Sequence, residues 1–453
     1  MEILTLSEIA KAVGSTVAID GKITEISTDT RTIPKGCLFV AIKGDNFDGH
    51  DYIQTAFEKG AKAVISERNV DGCNCILVES TRKALLDIAR YYRSKFNINL
   101  VGVTGSVGKT TTKEMIALVL SERFNTLKTT GNLNNEIGLP KTLLNLDSSN
   151  ECAVIEMGMS HFGEISRLTK TALPTMAVIT NIGFSHIENL GSQQGILKAK
   201  LEILEGMDGS APIFLNADDI SLYQTSYQLG RETITFGIDN EDSDFRGLNI
   251  QQFEDYTTFT VSWNGNFKDI KLPAIGKHNV LNALVSFAIG TKLGLTPDEI
   301  SNALSKYKSD SLRQNIVRKG EQSVIIDCYN ASPDSMKASL MVLSQMLPKE
   351  HGRRIAVLGD MLELGEMSQS LHSMVGDFVG QSKADILFCY GVEAQNIGKV
   401  ALNYGKEVRF FTEKSELNKT LKDFLKPNDV ILFKASRGMK LEETIDYIFG
   451  GKD

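Results

Sequence analysis

The stretch LVGVTGSVGKTTTKEM, residues 100–115, decides how the rest of the chain is read. Its first half is an apolar, β-rich run that stops at glycine, and its second half carries apolar residues at helical spacing. The segment therefore reads as strand, tight turn and helix. A helix that begins KTTT aims several backbone N–H groups and the positive end of its dipole at one point, which suits a phosphate. Lys109 would meet the terminal phosphates as a point charge, and the Thr110 hydroxyl has the chemistry of a magnesium ligand. The general phosphate-loop pattern, however, places four residues between its first glycine and the Gly-Lys pair. Here Gly105 and Gly108 have only two between them. The structural alternative is a plain strand-to-helix turn with an exposed lysine, and the GKTTT context weighs against it.

Further oxygen or imidazole ligands for a magnesium nucleotide tend to sit at the ends of neighbouring strands. AVIEMG supplies Glu156 at such an end, and TNIGFSHIENLGS supplies His186 just past the next one. Alone, Glu156 reads equally as a solvated strand-end charge and His186 as a core histidine. Following a GKT loop in this order, both become candidate metal ligands. Lys200, in LKAKLEIL, reads by itself as a solvated lysine.

The flanking sequence repeats the alternation of strand and helix. AVIEMGM, TMAVITNIG and APIFLNADD are buried-strand candidates separated by helical stretches, which implies a parallel sheet with ligands at its strand ends. TITFGI and YTTFTVSWNGNFKDIKL add strands, with a hairpin turn expected at Asn264 and Gly265. HNVLNALVSFAIGTKLG and TPDEISNALSKY follow as helices, the second with Thr296 as N-cap. SVIIDCYN, RIAVLGDM, ADILFCYG and DVILFKAS then describe a second doubly wound unit. Ahead of the loop, CLFVAI, AKAVIS and the helix RKALLDIARYYRSKF form a small α/β unit. At 453 residues the chain exceeds what one core organises, since single cores stop growing near ~250–300 residues. The expected division is 1–98, 99–312 and 313–453, all α/β.

With 42% hydrophobic and 23% charged residues the composition is that of an ordinary soluble protein. No run reaches the ~18 apolar residues of a membrane helix. MEILTLSEIAKAVG has no basic region followed by an apolar run, so no secretory signal and no membrane partner are expected, and the cytoplasm is the default. A formal charge of −7 argues against a non-specific nucleic-acid binder, whose activity rests on a basic surplus. The six cysteines are scattered, and the close pair Cys73 and Cys75 lacks the further ligands of a zinc site. All six read as reduced thiols.

Taken in order, TGSVGKTTTKEM, TTGNLNNEIGLP, VIEMG, NIGFSHIENLGS, AKLEIL, NADD, GKHNVLNAL, DCYNASPDSM and LGDMLELG resemble the Mur ligases of peptidoglycan synthesis across nearly the whole chain. In that family the loop reads T-G-x-x-G-K-T/S, which accounts for the short spacing. The resemblance implies three domains: an α/β unit that receives a UDP-linked substrate, a central ATPase domain of phosphate-loop type, and a Rossmann-like doubly wound domain for the incoming amine. DCYNASPDSM with LGDMLELG favours the branch that joins D-alanyl-D-alanine to UDP-N-acetylmuramoyl-tripeptide, with ATP as co-substrate and Mg2+ as cofactor, in a monomer. The branch adding the third peptide residue usually carries a D-N-P-R signature, which is missing here. An ATP-driven switch, the alternative from another class, would need neither His186 nor Lys200 nor a second doubly wound domain.

Residue by residue, the resemblance implies that Thr104, Gly105, Ser106, Val107, Gly108, Lys109, Thr110 and Thr111 surround the phosphates. It implies that Thr110 and Glu156 hold a first magnesium and His186 a second. Lys200 matches a lysine that is carbamylated in many relatives, and with Lys109 and His186 it makes the expected catalytic group. His278, Asn279 and Asn282 match the stretch against the adenine, and Asp327 the aspartate near the ribose. Arg313, in SLRQ where the family usually has Gly-Arg, is the candidate phosphate-contacting arginine. Ser27, Asp29 and Arg31 in ISTDTR match the UDP segment, although from the residues alone Asp29 and Arg31 read equally as a pair across a turn. Asn134 and Asn135 fall near the muramoyl end, and Asn330, Ser332, Asp360 and Arg437 near the ATP and dipeptide. Ala435 stands where glycine is common, which raises the question of local backbone freedom.

Overall fold

In the computed structural model, which describes residues 1–44, 47–309 and 314–450, the Asn99–Thr104 strand runs through the interior of a nine-stranded sheet. Its neighbours are Cys152–Glu156 on one side and Met176–Ile179 on the other, both parallel to it. A strand covered by helices on both faces needs apolar residues at consecutive positions, and residues 100–104 are buried throughout. Thr126–Lys128 closes one edge of this sheet. Ile213–Asn216, Thr233–Gly237 and Phe245–Gln252 extend it the other way, still in parallel, before Thr257–Trp263 and Asn266–Leu272 finish it as an antiparallel hairpin.

That hairpin turns at Asn264 and Gly265, both with positive φ (46° and 75°), the backbone that a two-residue turn between twisted strands demands. The strand-rich segment thus continues the central sheet. The Lys277–Lys292 helix packs between it and the Lys109–Leu120 helix. Phe287 from this helix is fully buried against the Trp263 ring, with centroids 4.9 Å apart in an edge-on arrangement. Thr296 caps the next helix, Pro297–Leu304, in a reciprocal arrangement with Glu299.

The amino-terminal unit is a four-stranded parallel sheet, Ile26–Ser27, Leu38–Val40, Ala63–Ser66 and Cys75–Leu77, backed by the Thr81–Arg93 helix. This helix also seats the unit on the central one: the Tyr92 hydroxyl donates to Leu146 O (2.5 Å), and buried Arg93 donates from Nε to Ala172 O (3.1 Å).

The carboxy-terminal sheet has the order Asn315–Lys319, Gln322–Asp327, Val430–Lys434, Arg354–Gly359, Ile386–Tyr390, Glu407–Phe411. Only the first pairing is antiparallel. Its two outer strands escaped the sequence reading because edge positions tolerate charged, half-exposed patterns such as NIVRK and EVRFF. The boundary expected at 312–313 and the Arg313 side chain lie outside the described residues. The six cysteines are unpaired thiols. No described helix is long and apolar enough to cross a membrane.

Ala435 does not have a left-handed backbone. It is fully buried opposite Gly359, where a Cβ would come 2.8 Å from the Ala435 methyl. The methyl group at 435 is accommodated by its absence at 359.

Truncating Phe287→Ala should cost about 3–5 kcal/mol. Trp263 is the only tryptophan of the chain, so its emission follows this region alone. The denaturant midpoint read by that emission should fall clearly, and an unchanged midpoint would contradict the packing described.

Candidate active site

The loop of residues 104–111 leaves the sheet at the carboxyl ends of its parallel strands, between Glu156 and the segment after Ile179. Strand order reverses there, the position at which open α/β sheets form a crevice. Gly105 has φ 148°, and a Cβ on it would lie 1.9 Å from Thr180 Oγ1. That hydroxyl donates to Val107 O (2.6 Å). Asn181 Oδ1 accepts from Ser106 N (3.1 Å) and Val107 N (2.9 Å), and Gly183 N donates to Ser106 Oγ (2.9 Å). The loop is thus fastened along its length to the end of the next strand.

The Lys109–Leu120 helix starts at left-handed Gly108 with no side-chain cap on its first N–H groups, so its amino end can take an anion. Lys109 Nζ folds back over the turn to donate to Gly105 O (2.8 Å) and Ser106 O (3.3 Å). Thr110 Oγ1 donates to Glu156 Oε2 (2.9 Å), while the other oxygen of Glu156 accepts from Asn134 Nδ2 (2.7 Å). Among the described residues no three His, Cys, Asp or Glu side chains converge. The Thr110 and Glu156 oxygens are nevertheless the hard donors that Mg2+ takes, typically one or two from protein with the rest from phosphates and water. The residues present fit such a cation.

A cavity of about 930 Å³ opens in front of the loop, and all three units border it. The central unit contributes Ser106 to Lys109, Thr111, Asn134, Asn135, Glu156, His186, His278, Asn279 and Asn282; the carboxy-terminal unit contributes Asp327, Asn330 and Ser332; the amino-terminal unit contributes Arg82. Asn282 Oδ1 accepts from Thr112 Oγ1 (2.9 Å), tying the Lys277–Lys292 helix to the helix of the loop. Gln314 Oε1 accepts from both His278 Nε2 (2.6 Å) and Asn279 Nδ2 (2.9 Å). Burial pushes the His278 imidazole below its ordinary value, partly opposed by that hydrogen bond. Asp327 takes Ser339 Oγ and buried Lys434 Nζ on one oxygen, both at 2.6 Å, and Gln314 N on the other.

Lys200 is fully enclosed on the Gln193–Leu201 helix, and burial followed by the charge of Lys109 pushes its amine well below the usual lysine value. The solvated reading drawn from its helix is corrected by this burial. His186 Nδ1 stands 2.6 Å from Glu363 Oε2 of the carboxy-terminal unit, off the line of the ring N–H, and His186 holds the Glu363 carboxyl below its ordinary range.

Other expected residues lie outside the cavity. Asp29 pairs with Arg31 (2.7 Å), whose side chain is 87% exposed, and Ser27 Oγ caps the same turn. Asp360 is fastened to Ala394 N (2.7 Å), and Arg437 pairs with Glu442 (3.0 Å). Thr104 Oγ1 is spent on Met157 O (2.9 Å). Conversely, Asn181, Gln314, Lys434 and Glu363 went unnoticed in the sequence. Asn181 stands within the quoted run NIGFSH, Gln314 beside Arg313 and Lys434 within KASRGM, but their roles depend on partners remote in the chain.

Sheet, loop and three-sided cavity define the class: an α/β enzyme built around an anion-binding strand–loop–helix. Three family profiles match the chain, described as Mur ligase family, catalytic domain (residues 22–93), Mur ligase middle domain (103–290) and Mur ligase, glutamate ligase domain (312–437). The UDP-N-acetylmuramoyl-tripeptide--D-alanyl-D-alanine ligase of Bacillus subtilis is 40% identical over 93% of this chain and 92% of its own; that of Escherichia coli is 35% identical over 98% and 97%. MurF from Acinetobacter baumannii superimposes with a TM-score of 0.93 at 29% identity, covering all of both chains. MurF from Thermotoga maritima in complex with ADP gives 0.85 at 32% identity, covering 94% of this chain and 97% of its own. The chain belongs to the Mur ligase family.

Gly105→Ala would drive a methyl into the Thr180 hydroxyl and force the loop open. ADP affinity, measured by calorimetry, should fall at least about tenfold, a loss of roughly 1.4 kcal/mol. Retained affinity would mean that nucleotide binds without this turn.

Proposed function

We infer that this chain joins D-alanyl-D-alanine to UDP-N-acetylmuramoyl-tripeptide at the expense of ATP, completing the UDP-muramoyl-pentapeptide precursor of peptidoglycan in the cytoplasm. The observation that carries the reading is the single cavity bordered by three units, which suits a reaction of three substrates. The names of the B. subtilis and E. coli relatives supply the substrates. A cavity completed by one chain supports a monomeric working form.

A free carboxylate is a poor electrophile, so amide formation needs activation. The tripeptide carboxylate attacks the γ-phosphorus of ATP, ADP departs, and an acyl phosphate forms. Lys109 and the uncapped N–H groups that open the Lys109–Leu120 helix spread the charge of the transferring phosphoryl group. The dipeptide amine then attacks the acyl carbon, phosphate leaves, and the amine gives up its proton. Thr110 and Glu156 would hold one Mg2+ and His186 a second, joined by Lys200 only in a carbamylated form, and the cations would neutralise the phosphate and carboxylate charges.

His278, Asn279, Asn282 and Asp327 take the nucleoside side, with Arg313 reaching the phosphates. Asn134 and Asn135 take the muramoyl end, and Asn330 and Ser332 the dipeptide. Ser27, Asp29 and Arg31 are assigned to UDP, and Asp360 and Arg437 to the rim of the dipeptide site. These outlying residues reach substrate on further closure of the units, which also keeps water from the acyl phosphate.

The enclosed amine of Lys200, whose protonated form burial and the Lys109 charge disfavour, is suited to add CO2, releasing a proton and leaving a carbamate anion next to Lys109. Supplying 13C-bicarbonate should give a carbamate carbon signal that disappears in Lys200→Ala. Because protonation of the amine reverses the addition, the signal should fade as pH is lowered. Persistence of the signal in Lys200→Ala would place the modification elsewhere.

With ATP, Mg2+, UDP-N-acetylmuramoyl-tripeptide and D-alanyl-D-alanine supplied, phosphate release should require both acceptors. Lys109→Ala should reduce kcat by about 10²-fold or more. Release that ignores both acceptors would instead identify a nucleotide-driven switch.

A further inference from the structure

Two loops from different units meet at His186. His186 is in the left-handed backbone region (φ 63°), and so is Glu363 opposite it (φ 63°). For residues with a Cβ this region is sparsely populated and strained, so surrounding contacts must hold both in place. Two residues beyond each, the loops are pressed together: a Cβ on Gly365 would come 2.9 Å from Glu188 Cγ. Glu363 Oε2 is consequently delivered to within 2.6 Å of His186 Nδ1. That nitrogen is buried and makes no hydrogen bond among the described residues, Glu363 Oε2 being near it but off the line of its N–H, whereas His186 borders the cavity.

An imidazole that ligates a metal commonly gives its second ring N–H to a carboxylate, which fixes the tautomer, sets the ring plane and raises the basicity of the ligating nitrogen. Mg2+ prefers hard oxygen donors, so an imidazole in its shell depends strongly on such support. We propose that Glu363 is the positioning residue for His186, accepting Nδ1–H and reserving Nε2 for the cation. The proposal rests on the assignment of His186 as a ligand. Its consequence is that the carboxy-terminal unit brings with it the group that orients a ligand on the central unit. Seating of that unit and competence of the second cation site become one event. When the unit moves away, the ring loses its acceptor and exchanges tautomers.

The test uses the full chain with ADP and Mn2+ as the probe, bound Mn2+ being counted by electron paramagnetic resonance. The unaltered chain should bind two ions and His186→Ala one. Glu363→Ala should keep two but weaken one about 10- to 100-fold, the usual effect of removing such a partner. Glu363→Gln retains an accepting oxygen and should recover most of that loss. Ring 15N shifts of histidine-labelled protein should report an Nδ1–H tautomer at His186 that is lost in Glu363→Ala. Should the alanine variant shift the Trp263 unfolding midpoint, Glu363→Asp, which withdraws the carboxylate by one methylene, carries the same comparison. Undiminished Mn2+ affinity in the Glu363 variants, with one ion lost in His186→Ala, would overturn the proposal. Two ions retained in His186→Ala would overturn the ligand assignment beneath it.

Discussion

At Gly105 the backbone passes so close to Thr180 that any side chain would overlap its hydroxyl, and this contact interlocks the ends of two neighbouring parallel strands. Thr180 holds Val107 O while Asn181 takes two loop N–H groups. The turn is therefore shaped before any ligand arrives, and its remaining donors cost little reorganisation when charge develops in front of them. The short loop between Gly105 and Gly108 thus takes part of its support from the next strand.

The same strand end continues outward to the carboxy-terminal unit. Gly183 passes beside Asp334, whose buried Oδ2 lacks a hydrogen-bond partner among the described residues and whose carboxyl is pushed up by burial. A few residues on, His186 meets Glu363. On the other flank, Gln314 ties His278 and Asn279 of the central unit to Asp327. Apolar packing accompanies these polar contacts, since buried residues of both units, among them Ile187, Leu190, Ile275, Val342 and Leu364, belong to one hydrophobic cluster. The amino-terminal unit is held through the apolar face of the amphipathic Thr81–Arg93 helix and through the buried Arg93.

What could be read in the sequence was whatever depends on local spacing. The loop, the strand ends carrying Glu156 and His186, the Asn264–Gly265 turn and the Thr296 cap are each specified within a few residues. Gln314, Lys434, Asn181 and Glu363 could not be found that way, because each matters through a partner far along the chain. Lys200 was misread for a related reason: helical periodicity around it says nothing about the neighbouring elements that enclose it. For Asp29 and Arg31, the sequence left open a pairing that the structure contains, at a site away from the cavity.

The methyl of Ala435 and the bare Cα of Gly359 share one small volume between adjacent strands. A methyl can stand on either side, but not on both. Over evolutionary time the two positions can exchange their sizes only through an intermediate with glycine at both, since the route through two alanines is closed. Substitution at one position is thus conditional on the residue at the other.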